Sequence, residues 1–168
     1  MAQATFWRPA PIDRAALVHA VRTAVAAAVS LGLARLFHLP EPYWAAISTL
    51  VVMQSTLGAA LTVSEQRFAG TALGAVLGGL AASHFGSSIL AFTLAVFVAG
   101  LLCVVLRMNH SGYRFASITL AIVMLVAHRQ AASVVALHRF IEVSVGIAIG
   151  LALTALWPET DPQPIPNR

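Results

Sequence analysis

The sequence predicts an all-α membrane protein with six transmembrane helices arranged as two inverted three-helix repeats. Three observations carry that expectation. Of the 168 residues, 59% are hydrophobic and only 10% are charged, whereas ordinary soluble domains carry about 25% charged residues. Six apolar stretches follow one another with short polar breaks between them. An arginine heading a row of glycines also occurs twice, in "RFAGTALGAVLGGL" and in "RFIEVSVGIAIGLAL".

A hydrocarbon core about 30 Å thick takes roughly 20 apolar helical residues. The stretches run approximately 15–37, 43–62, 66–84, 87–106, 113–127 and 137–157. "HLPEPY" separates the first two, with Pro42 suited to a first helical turn. "SHFGSS" and "NHSGY" are short turns that contain Gly86 and Gly112. The expected organisation is a cytoplasmic N-terminal segment at 1–14, a six-helix module at 15–158 and a flexible, proline-rich tail at 159–168. A cleaved leader is not expected, because Arg22 interrupts the first apolar stretch.

Charge placement sets an expected orientation. The ten basic residues are all arginines, scattered singly, which argues against a nucleic-acid footprint. With the N-terminus inside, Arg8, Arg14, Arg67, Arg107, Arg114 and Arg168 fall on the cytoplasmic side and Arg35, Arg129 and Arg139 on the other. Cytoplasmic loops carry the excess of arginine, so both termini are expected in the cytoplasm. Cys103 is the lone cysteine and the six histidines lack ligand spacing, so no metal or cofactor is expected. No nucleophile or paired carboxylates suggest an enzyme.

The repeat extends beyond the glycines. "YWAAISTLVV" from Tyr43 matches "YRFASITLAI" from Tyr113 at an offset that superposes Thr49 on Thr119. Arg67 then superposes on Arg139, Gly74 on Gly146 and Gly78 on Gly150. Three spans per unit invert the second unit relative to the first, a recurrent transporter architecture. Gly70, Gly74 and Gly78 share one helical face, with Thr71 beside it. Such rows let helix backbones approach closely in a bilayer, so these glycines, with Gly146 and Gly150, are expected in helix packing.

An arginine inside a span is costly and usually functional. Arg22 lies well inside the first stretch, while Arg67 and Arg139 lie near the starts of theirs and could instead reach the interface. Glu142, three residues after Arg139, offers it an intrahelical ion pair. "MQSTLG" either lines a polar path with Gln54 and Ser55 or forms a helix end near the headgroups. Trp44 reads first as an interfacial anchor and second as a stacking surface.

"ALVHAVRTAVAAAVSLGLA", "YWAAISTLVVMQSTLGAAL", "RFAGTALGAVLGGL" and the closing "LWP" together resemble the fusaric acid resistance and aromatic acid exporter family. Arg22, Tyr43, Trp44, Ala45, Arg67, Gly70, Thr71 and Gly74 match its pattern position by position. The resemblance implies a transporter that exports aromatic or other organic anions across the inner membrane, and plant aluminium-activated malate channels are distant kin. Arg22, Arg67, Gln54, Ser55 and Arg139 are the expected anion-binding residues, and His19 a coupling residue able to carry a proton. Expected partners are membrane lipid, a small organic anion and a second copy of the chain, since relatives are often doubled or carry cytoplasmic domains. The alternatives are an uncoupled anion channel and a non-transporting assembly subunit.

Overall fold

Six helices account for the regular structure of the computed structural model, which describes residues 14–126 and 131–158. They are α1 (Arg14–Leu36), α2 (Tyr43–Val52), α3 (Leu57–Phe85), α4 (Ile89–Val105), α5 (His110–Val126) and α6 (Ala132–Leu156). The expected N-terminal segment before Arg14, the tail at 159–168, and Arg8, Arg129 and Arg168 of the charge count lie outside the described residues. Among the helices, α1, α3 and α6 are long and apolar enough to cross a membrane, at 23, 29 and 25 residues. α4 and α5 have 17 residues each and α2 has ten.

The short α2 corrects the second expected stretch. It ends at Val52, and residues 53–56 leave the helix before α3 begins at Leu57. Met53 takes φ −59 and ψ 113, and the Thr56 hydroxyl accepts a hydrogen bond from the Ala59 N–H at 3.3 Å. Hydropathy alone runs continuously through this region. Short polar side chains, however, offer the backbone alternative hydrogen bonds and favour caps over helix interiors. The break therefore falls on Gln54, Ser55 and Thr56, and residues 57–62 become the start of α3. At the far end of α3, Gly86 adopts φ 65 and its N–H bonds the Ala82 carbonyl. A side chain there would be strained.

Glycines set the two closest helix contacts. A Cβ on Gly74 would strike the carbonyl oxygen of Ala116, and one on Gly146 would strike that of Ala45. Gly70 and Gly78 extend the first contact along α5, from Gly112 to Val123, while Gly150 extends the second to Val52. Contacts rise together along both chains, so α3 runs parallel to α5 and α6 parallel to α2. Between the pairs the direction reverses. Ala60 clusters with Val143 and Ile147, whereas Gly79, farther along α3, faces Ala136. Phe68 and Phe140 meet where the two pairs join, with ring centroids 5.0 Å apart.

The two contacts use one register. Ala116 and Ala45, Thr119 and Ser48, and Val123 and Val52 meet equivalent glycines. Members of each pair lie 71 positions apart, one residue from the offset that aligns Thr49 with Thr119. Packing equates positions by the face they present, and identical letters in helices rich in small residues do not track that face. Thr71 is buried beside the α3 row.

The outer surface is apolar. Ile89, Leu90, Phe97 and Val104 on α4 are all well over half exposed. A contiguous face of this kind requires an apolar surrounding, and lipid supplies it.

Candidate functional site: three buried arginines

Arg67 is the interior charge with the fewest partners. Because α3 begins at Leu57, Arg67 is three helical turns inside it, about 15 Å by helical rise, and not near its start. Its side chain is 7% exposed, which removes the interface-reaching alternative. Nη2 donates to the Ser48 hydroxyl at 3.1 Å, and the guanidinium carbon sits 4.9 Å from the centre of the Phe115 ring. No carboxylate among the described residues pairs with it, and the neighbouring Glu65 is exposed. Nε of Arg67 and the Ser64 hydroxyl one turn earlier on α3 are buried without hydrogen-bond partners. Unpaired buried donors are costly, and an anion is the ligand that satisfies them.

Arg139 occupies the matching place on α6 with a different outcome. It is 2% exposed and lies over the Trp44 ring at 4.0 Å, as Arg67 lies over Phe115. Its Nη2 donates to Glu41 Oε2 at 2.5 Å. The intrahelical pair with Glu142 forms more loosely, at 3.6 Å between Nη1 and Oε2. Glu41 is the principal partner, 98 residues away. Its Oε1 accepts from the Tyr43 hydroxyl at 2.9 Å, and its backbone N–H donates to Glu142 Oε1 at 2.8 Å.

Arg22 clasps two helix ends. It is 1% exposed and donates to the carbonyl oxygens of Trp157, at 2.8 Å, and Gln54. These carbonyls lie just past the C-terminal ends of α6 and α2, where helix dipoles favour a cation. Gln54 thus meets Arg22 through its backbone, while its amide side chain bonds the Val51 carbonyl at 3.4 Å. Ser55 is exposed in the break. His19 is half-buried one turn before Arg22 on α1. The structure therefore brings Arg67 to Ser48 and Arg139 to Trp44, one turn apart on α2, and keeps Arg22 with Gln54 at the end of that helix.

A cleft lies elsewhere, away from the arginines. Its volume is about 890 Å³, and its lining of small and apolar residues includes Gly79, Leu80, Ala136 and Leu137. No charged side chain among the described residues lines it, so its chemistry suits hydrocarbon and not an ionic solute.

An apolar envelope around helices that bury arginines defines an all-helical membrane protein. The chain belongs to the fusaric acid resistance protein-like family, which it matches over residues 26–153. It is 27% identical over 145 residues to an Escherichia coli inner membrane protein, YeeA, covering 85% of this chain and 41% of that protein. It is 30% identical over 152 residues to a Salmonella typhimurium protein named as the uncharacterized transporter YdhK, covering 84% of this chain and 22% of the relative. The Escherichia coli YdhK is 39% identical over 66 residues, covering 39% of this chain and 10% of the relative. The chain thus spans less than half the length of these curated relatives. No solved structure matches it.

Proposed function

We propose that this chain is the six-span membrane module of a transporter that moves aromatic or other organic anions out of the cell across the inner membrane, with Arg67 at its anion site. The observation that carries the reading is the Arg67 guanidinium, buried with one hydroxyl and one aromatic ring and with no carboxylate partner among the described residues. A carboxylate bound there would receive charge-assisted hydrogen bonds, and the surrounding donors would lose their desolvation penalty. Phe115 would offer an aromatic solute a stacking face.

The antiparallel disposition of the α3–α5 and α2–α6 pairs, with matching glycine contacts, supports an inverted repeat. Rocking of one pair against the other about Phe68 and Phe140 would then expose the site alternately to the two sides. Arg14, Arg107 and Arg114 belong to helix ends on the side where α3 begins, and Arg35 to the opposite side. This supports cytoplasmic termini. The proposal includes a homodimer, as the family resemblance implies. Arg22 and Gln54 on this reading close the cytoplasmic end of the bundle, and His19 beside Arg22 is the candidate for a coupling proton.

The test is efflux of benzoate from liposomes holding purified protein. Arg67→Gln is expected to lower the rate about tenfold or more, the scale of a lost charge-assisted bond, at equal incorporation. Unchanged efflux would overturn the reading. A rate that follows the benzoate gradient identically at every pH gradient would assign the module to uncoupled conduction.

A further inference from the structure

We propose that Arg139, Trp44 and Glu142 form a second carboxylate site, and that the protein's own Glu41 is its built-in occupant. The inference rests on reading Arg67 as an anion site and extends it to the other half of the molecule.

The two arginine sites are built on one plan. Arg67 and Arg139 are 72 positions apart, each three residues before the position that begins a close helix contact. Phe115 and Trp44, the rings beneath them, are 71 apart, the register that the glycine contacts also obey. Glu41 corresponds to Gly112 by the 71-residue offset of the rings, and Glu142 to Gly70 by the 72-residue offset of the arginines. The correspondence is physical, because the Gly112 carbonyl lies against Gly70 as the Glu41 backbone lies against Glu142. Two carboxylates thus stand in one site where the other has only glycine backbone. A guanidinium over an aromatic ring binds a carboxylate in the first case, and the same chemistry awaits one in the second.

Glu41 is held as a ligand is held. Both carboxylate oxygens are engaged, one by Arg139 and one by Tyr43. It lies on the connection between α1 and α2, and its side chain is 34% exposed, whereas Glu142 is wholly buried. Glu41 can therefore leave for water while Glu142 stays as a permanent counter-ion. Arg139 also keeps unused capacity, since its Nε and Nη1 are buried without hydrogen-bond partners. An arriving organic carboxylate would exchange with Glu41 charge for charge. The tethered group resists with an effective concentration in the millimolar range or above.

The test counts benzoate sites on the purified full chain in lipid nanodiscs by equilibrium dialysis. Wild type is expected to bind one benzoate per chain, lost in Arg67→Gln. Glu41→Gln is expected to bind two, with affinity at the new site raised tenfold or more over wild type. Glu41→Gln combined with Arg67→Gln is expected to retain one, and adding Arg139→Gln to remove it. If the Glu41→Gln, Arg67→Gln double variant elutes as a monodisperse species and binds no benzoate, the second site does not exist. Retention of the wild-type benzoate in Arg67→Gln alone would instead sink the Arg67 reading, leaving the double variant to decide the Glu41 proposal by itself. Glu41→Ala replaces Glu41→Gln in the same assay if the latter does not purify, and the same outcomes decide.

Discussion

Arg67 and Arg139 sit at matching places on antiparallel helices, each buried and each above an aromatic ring. Arg139 is answered by Glu41 and Glu142, and Arg67 by a serine hydroxyl. The contrast separates what a buried charge does for the fold from what it can do for a solute. An arginine whose counter-ions belong to the chain contributes to holding helices together. One without them carries an electrostatic deficit that the protein itself does not relieve.

The largest expected effect is a difference in stability between two equivalent substitutions. Arg139→Gln leaves the wholly buried Glu142 without its cation. Breaking a buried pair from one side costs roughly 3–5 kcal/mol, and the lower end applies here because Glu41 can turn to water. Arg67→Gln removes a charge that no carboxylate among the described residues balances, so its thermal unfolding midpoint should equal or exceed that of the wild type. Midpoints measured side by side in one detergent check the pair. Equal losses would show that the two sites are electrostatically alike.

An intermediate effect is expected at the rings. Phe115→Leu should weaken benzoate binding about fivefold, on the order of 1 kcal/mol for a cation–π and stacking surface. Trp44→Leu should leave wild-type binding unchanged, because Glu41 already covers Arg139. Dialysis on both variants sharpens the comparison, and equal weakening would remove it. The smallest effect belongs to Ser48→Ala. It deletes the hydrogen bond between Arg67 and Ser48, and a shift in benzoate affinity of about threefold, under 1 kcal/mol, is expected in the same assay.

Much of the fold was legible in the chain because hydropathy and helix length report directly on lipid. The glycine rows were legible for a related reason, since spacing of four places residues on one face whatever that face meets. Two features were less legible. The end of α2 at Val52 was open only as one of two readings of "MQSTLG", whose polar triplet Gln54, Ser55 and Thr56 interrupts the apolar stretch expected over 43–62. The partners of the arginines were hidden by distance along the chain. Glu142, three residues from Arg139, was legible as an available partner, yet the tighter partner Glu41 is 98 residues away on the connection between α1 and α2. Ser48 and Phe115 carry no local mark at all, and only the packing of α3 between α2 and α5 makes them neighbours of Arg67. Arg22 was correctly placed in the interior, but nothing in its surroundings in sequence indicated that backbone carbonyls would receive it.

The brevity of α2 bears on how the protein is made. Ten helical residues reach about 15 Å, half of the ~30 Å that a lone segment must bridge to rest in a bilayer. On the proposed six-span reading, the nascent chain gains no foothold from α2 by itself, and residues 43–85 partition as one hairpin once α3 has emerged. The insertion step here is larger than a helix. Lesions in the four residues that join the two arms would be felt first in the topology of the newborn chain and only afterwards in any traffic across it.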